Sequence, residues 1–174
     1  MKQGLNRSLC LKTYTVPYIL TQYVIMLNKL IKETLLMNFK FYNTLPLEAR
    51  NIRQQVFVTE QGFQQEFDNI DSIATHLVIF EGEVAVATAR LFKGKTEKDF
   101  IVGRIAVLPE YRKQHLGAKI MELLENKVQE LGGKTIYLLA QCRAQNFYEK
   151  QGYQAQGETT MDEACPHINM AKTL

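Results

Sequence analysis

Residues 107–118, VLPEYRKQHLGA, have the types and spacing that could bind an anion. They follow an apolar run and open an amphipathic one, with Arg112 and Lys113 on the approach and Gly117 and Ala118 at the turn. A helix N-terminus presents unpaired backbone N–H groups and the positive end of the helix dipole, so such a turn can hold a phosphate. The stretch lacks the Gly-Lys-Ser/Thr ending of a nucleotide P-loop and the three glycines of a dinucleotide fingerprint. By pattern alone, a plain connection between strand and helix is the more frequent interpretation.

The composition predicts one compact domain and does not call for a nucleic-acid or membrane partner. The chain of 174 residues is 46% hydrophobic and 22% charged, as in an ordinary globular protein. Its 21 basic and 18 acidic residues leave a net charge of +3, too balanced to require a nucleic acid or an anionic membrane. Cys10, Cys142 and Cys165 are odd in number and widely spaced, which indicates neither a disulfide framework nor a zinc site. We therefore expect a reducing, cytoplasmic location.

Residues 1–36 form an extension that differs in character from the rest. Its uncharged run, residues 13–28, is shorter than a membrane span and is interrupted by Pro17, so stable membrane insertion is not expected. No small-residue cleavage site follows it, so export is not expected either. Apolar residues recur at helical spacing from Ile19 onward, which predicts an amphipathic helix. Equally, Met37 reads as the natural start of a domain, and the extension could result from an upstream start codon.

The pattern over residues 38–174 alternates between strand and helix. A first strand at residues 38–42 precedes a helix for which Thr44 is a candidate N-cap. A polar, acidic surface loop is expected over residues 61–74, followed by a β-hairpin. The run KTIYLLA, residues 134–140, is almost continuously apolar and predicts a strand buried on both faces. The element order predicts a mixed α/β domain around one sheet.

A longer stretch, VGRIAVLPEYRKQHLGAKIMELLE, resembles the acetyl-CoA-binding signature of the GNAT acetyltransferase superfamily. There, a strand and a proline-containing turn lead to Arg/Gln-x-x-Gly-x-Gly/Ala and a helix. In this chain the pattern starts at Arg112 and ends at Gly117, and His115 stands at the position of the first glycine. If that position needs a positive φ, histidine costs up to about 1–2 kcal/mol. The imidazole could narrow the path of the pyrophosphate, point outward, or bring an N–H group to the phosphates.

Residues 144–154, AQNFYEKQGYQ, resemble the second GNAT signature, a short helix that carries a tyrosine and ends in Lys/x-x-Gly-Phe/Tyr. The resemblance implies that Tyr148 is the general acid that protonates the departing CoA thiolate. A positioned phenol can supply that proton or hydrogen-bond the sulfur as charge builds. The alternative is that Phe147 and Tyr148 are both core aromatics of a short helix. For Phe147 that alternative is the favoured interpretation.

The resemblance covers nearly all of residues 38–174 and looks like the bacterial ElaA-like or YjcF-like branch. It implies an α/β (mixed α+β) fold with a central, mostly antiparallel sheet of six or seven strands and helices on both faces. The fourth and fifth strands splay apart, and the pantetheine arm of acetyl-CoA lies in the gap. A main-chain group near Val107 then helps to stabilise the oxyanion. The implied cofactor contacts are Ile105, Ala106, Val107, Arg112, Lys113, Gln114, His115, Leu116, Gly117 and Ala118.

The amine acceptor requires a base, because its nitrogen must lose a proton before or during attack. The candidates by residue type are Glu60, Glu66, Asp68, Asp71 and His76. A solvated loop charge or a capping residue is the more frequent role for each of them. Glu60 ranks first because it lies in the distinctive segment FVTEQG.

A cluster of reactive residue types is expected near the mouth of the site: Cys142, Arg143, Glu163, Cys165 and His167. Cys165 and His167 would share one strand face, but no third ligand is evident, so no metal is expected. Cys142 has no evident base partner, so we expect direct transfer in a ternary complex rather than a covalent intermediate.

Together these patterns predict an acetyl-CoA-dependent N-acetyltransferase that acts on a primary amine of a small molecule or peptide. The competing hypothesis is a non-catalytic acyl-CoA-binding or regulatory module that kept the fold, with His115 as the sign of a weakened site. Dimers are frequent in the superfamily, and a homodimer is left open. No nucleic-acid partner is expected.

Overall fold

The computed structural model describes residues 37–174 together with Leu20, Thr21, Tyr23 and Val24. The chain divides into two compact units, Met1–Leu36 and Met37–Leu174. The four described residues of the first unit are helical, and the remainder of the predicted amphipathic helix lies outside the described residues. None of the helices described is both long enough and apolar enough to cross a membrane.

Seven strands form one sheet in the second unit. In chain order they are β1 Met37–Tyr42, β2 Thr75–Glu81, β3 Val84–Lys93, β4 Asp99–Val107, β5 Thr135–Gln141, β6 Gln154–Asp162 and β7 Cys165–Thr173. Their order in the sheet is β1-β2-β3-β4-β5-β7-β6. Every neighbouring pair is antiparallel except β4 and β5. The predicted mixed α/β fold with a mostly antiparallel sheet is confirmed.

Helices lie on both faces of this sheet. They are α1 Leu47–Arg53, which continues as a π-helix over Gln54–Glu60, then α2 Leu116–Glu130 and α3 Gln145–Lys150. On one face, Ala49 of α1 packs against Val78 of β2. On the other face, Ile120 of α2 joins a core that includes Leu77. Successive strand residues point to opposite faces, so β2 contributes to both cores.

The gap that holds the site arises because β4 leaves β5. The two strands pair in parallel only from Asp99 and Thr135 to Val102 and Leu138. A bulge follows in β4, where the register with β3 shifts and Arg104 adopts a left-handed backbone with φ 54°. The bulge redirects β4 away from β5, as expected of the splayed fourth and fifth strands.

Two local predictions are wrong. Helix α1 begins at Leu47 with Pro46 as its N-cap and has no side-chain cap, so Thr44 does not cap it. Pro46 lacks an N–H group and holds an extended backbone at the boundary, which sets the helix start without a side-chain acceptor. Strand β5 alternates instead of being buried on both faces, with Tyr137 38% and Leu139 47% exposed. One face of β5 packs under α2, while Leu139 on the other lines a cleft.

Candidate active site

A cleft of about 370 Å³ opens where β4 and β5 part. Residues 102–105 of β4 form one wall, and Leu138, Leu139 and Gln141 of β5 contribute to another. Tyr148 of α3 and His167 of β7 also line the cleft. Further side chains come from the segment after α1 and from the β6–β7 turn, namely Phe57, Gln61, Phe63, Gln65, Glu66, Asp162 and Glu163. The cleft therefore joins the strand gap to the acidic loop and the C-terminal hairpin.

Tyr148 presents a buried phenol to this cleft. Its ring makes edge contacts with Phe147 at 4.9 Å and Tyr153 at 6.1 Å between centroids. Burial raises the pKa of Tyr148 to about 12, so the hydroxyl keeps its proton at neutral pH. Within the described part of the chain, no group hydrogen-bonds to that hydroxyl. Tyr148 thus places a protonated hydroxyl in the cleft, and its ring packs against Phe147 and Tyr153.

Phe147 connects Tyr148 to the start of α2. A Cβ atom built on Gly117 would lie 3.1 Å from Cζ of Phe147, closer than most side-chain contacts allow. Phe147 also packs against the main core, as its favoured interpretation predicted. Glycine at position 117 therefore allows the first turn of α2 to approach the helix that carries Tyr148. The two sequence signatures meet at this contact.

The turn before α2 exposes a row of backbone donors. His115 is the N-cap of α2 and adopts φ 60° and ψ 14°, the left-handed backbone that glycine favours. Lys113 is also left-handed, with φ 66°. The N–H group of Arg112 bonds to the carbonyl of Pro109 at 3.2 Å. The amides of residues 113–118, by contrast, have no acceptor in the part of the protein that is described. Unpaired amides at a helix N-terminus are suited to an anion.

The side chain of Arg112 is committed to protein partners. Its guanidinium donates two hydrogen bonds to the carboxylate of Glu60, at 2.7 and 2.6 Å, and Nε donates to the carbonyl of Val107 at 3.1 Å. The hydrogen bond from Arg112 lowers the pKa of Glu60, which weakens that carboxylate as a proton acceptor. Glu60 lines a neighbouring hollow with Ile105 and Val107, not the cleft that contains Tyr148.

The acidic loop carries an ion-pair cluster, formed by Arg53, Glu66, Asp68, Asp71, Arg90 and Arg104. Arg53 of α1 contacts Glu66 and Asp71, each at 2.6 Å. Arg90 of β3 contacts Asp71 at 2.8 Å and Asp68 at 2.6 Å. The expectation of a solvated charge or a cap is therefore wrong for Glu66, which is only 5% exposed. Asp71 is 7% exposed and does act as a capping residue, accepting a hydrogen bond from the amide of Asp68 at 3.3 Å. The cluster ties the loop to α1 and the sheet.

The electrostatics of the ion-pair cluster follow from this pairing. Burial alone would raise the pKa of Asp71, but hydrogen bonds from Arg53 and Arg90 outweigh it and lower the value to about 2. Burial raises the pKa of Glu66 despite the attraction of Arg104 and Arg53. Burial also lowers the pKa of His76, whose Nε2 lies 3.0 Å from the carbonyl of Asp71.

Asp68 and Glu163 both accept hydrogen bonds from backbone amides of the acidic loop. Asp68 caps the short 3₁₀ helix Asn69–Ser72, accepting a hydrogen bond from the amide of Ile70 at 3.0 Å, as a capping residue would. Glu163 accepts hydrogen bonds from the amides of Gln64 and Gln65, which fasten the loop to the β6–β7 turn.

The sequence did not indicate His167 as a candidate for proton transfer, because its spacing from Cys165 suggested only a metal ligand. It is 5% exposed and lies with Tyr148 in the cleft. The β5–β7 register, which pairs His167 with Gln141, brings it there, and no local pattern encodes that register. Among the described residues, no three His, Cys, Asp or Glu side chains are grouped to hold a metal.

Comparisons with known proteins agree with this fold. A family model described as Acetyltransferase (GNAT) domain matches residues 46–174. YjcF of Bacillus subtilis, an uncharacterized N-acetyltransferase, is 33% identical over 132 residues, which cover 72% of this chain and 90% of YjcF. Protein ElaA of Escherichia coli is 31% identical over 128 residues, covering 71% of this chain and 84% of ElaA.

Solved structures show the same relationship. The crystal structure of Escherichia coli ElaA superposes with a TM-score of 0.70 at 27% identity, covering 79% of this chain and 99% of ElaA. An acyl-CoA N-acyltransferase from Pseudomonas aeruginosa gives a TM-score of 0.71 at 27% identity, with coverage of 79% and 99%. The resemblance to the ElaA-like and YjcF-like branch is confirmed. With the family model spanning residues 46–174, this chain belongs to the GNAT acetyltransferase family.

Proposed function

We propose that this protein is an acetyl-CoA-dependent N-acetyltransferase that transfers acetyl directly to a primary amine in a ternary complex. One observation carries the proposal. The protonated phenol of Tyr148 faces the cleft without a partner in the described chain, and Phe147 links it to the unpaired amides of residues 113–118. An anion-binding turn can hold the diphosphate of CoA, and a proton donor can protonate the departing thiolate.

The turn and the strand gap suit the two ends of CoA. The amides of residues 113–118 would hold the diphosphate. Beyond Val102, β4 has no pairing with β5, so the edge at Ile105, Ala106 and Val107 can bond an extended pantetheine arm as an added strand. Two proteins that share the fold, an aminoglycoside 6'-N-acetyltransferase and a Bacillus subtilis acetyltransferase, were crystallised with CoA, at TM-scores of 0.64 and 0.61.

In the proposed reaction, Tyr148 acts at the sulfur. As the amine nitrogen bonds to the thioester carbon and the carbon–sulfur bond breaks, the Tyr148 hydroxyl donates its proton to the thiolate. A main-chain group near Val107 stabilises the negative charge on the carbonyl oxygen. Glu60 contributes by holding Arg112 in place at the start of the turn.

His115 fits this proposal in spite of its departure from the family pattern. Its backbone already has the left-handed conformation that the missing glycine would supply. Its side chain is exposed and lines a hollow with Ala118, Lys119 and Gln151, apart from the cleft that contains Tyr148. We therefore propose that the turn binds CoA with histidine present.

Calorimetry with acetyl-CoA, followed by an acceptor screen, tests the proposal. The screen measures thiol release with spermidine, glucosamine, lysine and a short peptide. Saturable binding together with amine-dependent thiol release is the expected result. Absence of binding at millimolar acetyl-CoA contradicts the proposal, whereas binding without transfer to any acceptor favours the non-catalytic module.

A further inference from the structure

We propose that His167 is the catalytic base that accepts the proton from the amine, an inference that rests on the proposed function. The acetyl acceptor must lose protons from nitrogen, and each acid ranked by sequence is engaged elsewhere or lies outside the cleft. His167 lies in the cleft with Tyr148 and carries a nitrogen that can accept a proton.

The protonation pattern of the His167 ring follows from its one hydrogen bond. Nδ1 lies 2.9 Å from the carbonyl oxygen of Cys165. A carbonyl oxygen can only accept, so Nδ1 carries a hydrogen, and in the neutral form of the ring Nε2 holds the lone pair. Nε2 has no partner within residues 37–174, although the residue is 5% exposed. A neutral imidazole oriented by a backbone carbonyl is the usual arrangement of a general base.

The surroundings hold this ring in one orientation. His167 lies on β7 opposite Gln141 of β5, where the strand gap opens. The ring of Phe63 contacts it edge-on, with centroids 6.3 Å apart. Phe63 belongs to the loop that Glu163 fastens to the β6–β7 turn. Because the ring is packed in this way, its orientation need not change during the reaction.

The other ionisable groups of the cleft are less suited to accept the proton. Glu66 is held by Arg53 at 2.6 Å and by Arg104 at 3.0 Å. Glu163 already accepts two backbone amides. Asp162 is exposed, and its side chain has no partner in the described structure, so its charge is available to attract the ammonium form of an acceptor. His167 is then the group that receives the proton.

Two groups, His167 and Tyr148, account for every proton transferred in the proposed reaction. His167 Nε2 takes one proton from the ammonium ion and releases it to solvent. The neutral amine forms the carbon–nitrogen bond, the carbon–sulfur bond breaks, and the sulfur takes the proton of Tyr148. The nitrogen then loses its second surplus proton, which returns through His167 to the Tyr148 oxygen. The products are the amide, the CoA thiol and one proton in solution.

The variant His167→Asn tests this role, because the amide Nδ2 of asparagine can still donate to the Cys165 carbonyl while the base is removed. We expect kcat at neutral pH to fall about 10²–10³-fold, with the KM for acetyl-CoA unchanged. The deficit should shrink at alkaline pH, where the acceptor loses its proton without help, and added imidazole should restore part of the rate. Kinetics use whichever of spermidine, glucosamine, lysine or peptide the wild type acetylates fastest.

The matched control is His76→Gln, a histidine outside the cleft whose Nε2 contact to Asp71 the glutamine amide can replace. Its pH profile should follow the wild type. An active wild type with an unchanged His167→Asn profile, or a loss that is equal at every pH, overturns the inference alone. A wild type that acetylates none of the four probes overturns the proposed function and the inference with it.

Discussion

The ion-pair cluster and the cleft differ in how their polar side chains are paired, although Glu66 and Arg104 belong to both. In the cluster, Arg53 and Arg90 are buried and each bonds the buried Asp71, although Nε of Arg90 has no partner among the described residues. In the cleft, Tyr148 and His167 are 9% and 5% exposed, and neither the Tyr148 hydroxyl nor His167 Nε2 has a partner in the described chain. Polar groups that line a cleft without a protein partner are free to bond a ligand.

This comparison shows that a perturbed pKa does not by itself identify the site. Asp71 and Tyr148 both have shifted pKa values, the first lowered to about 2 and the second raised to about 12. Structural ion pairs and catalytic groups both produce such shifts. Pairing separates the two cases, since the partners of Asp71 are protein residues and those proposed for Tyr148 are substrate atoms.

The largest effect is expected in the cleft, from Tyr148→Phe. We expect kcat to fall about 10²–10³-fold because the thiolate must leave without its proton donor, while the Kd for acetyl-CoA stays the same. Thiol release at saturating amine measures the first, and calorimetry the second. Tyr153→Phe is the matched control, since that buried tyrosine lies outside the cleft lining. Equal turnover in both variants would remove Tyr148 from the chemistry.

The ion-pair cluster should respond in stability rather than turnover. Asp71→Asn leaves Arg53 and Arg90 buried with one fewer counter-charge, so the free energy of unfolding should fall by about 3–5 kcal/mol. Denaturant unfolding measures the change. Glu122→Gln, which breaks only the exposed pair with Lys119, should cost under about 0.5 kcal/mol. Similar losses in the two variants would contradict the distinction between a buried and a solvated pair.

The pH dependence of the free energy of unfolding should also show that the ionised form of Asp71 stabilises the cluster. Because the pKa of Asp71 is lowered from 3.8 to about 2, its ionised form stabilises the fold. The contribution, about 2 kcal/mol, is fully present above the unfolded pKa and is lost as pH falls through the folded pKa. The stability difference between wild type and Asp71→Asn should therefore narrow between about pH 4 and pH 2. A constant difference over that range would contradict the assignment.

The smallest effect of a change in the site is expected from His115→Gly in the turn before α2. Glycine removes the cost of a left-handed histidine but gains freedom in the unfolded chain, so the free energy of unfolding should rise by less than about 1 kcal/mol. The Kd for acetyl-CoA should change less than about threefold, because the backbone is already in place. Thermal unfolding and calorimetry measure both. A much tighter Kd would mean that the imidazole obstructs the turn.

Local patterns predicted the elements better than their environments. The strand run KTIYLLA was placed correctly, but the exposure of Tyr137 and Leu139 depends on which face of β5 other elements cover, and only the face with Ile136, Leu138 and Ala140 is in the core. The acidic loop was also recognised, yet the burial of Glu66 and Asp71 depends on arginines from α1 and β3. The composition of a segment shows that it is polar, but it does not show whether another segment will bury it.

The sequence by itself determined the order of strands and helices, the turn before α2 and the positions of Tyr148 and Gly117, because these follow from local periodicity and short motifs. Only the tertiary structure decided which polar groups are paired. Glu60 meets Arg112 across 52 residues, and His167 enters the cleft through the register of β5 with β7. Hydrogen bonds and burial depend on distances between segments remote in sequence, so whether a polar group is paired is decided when the sheet assembles.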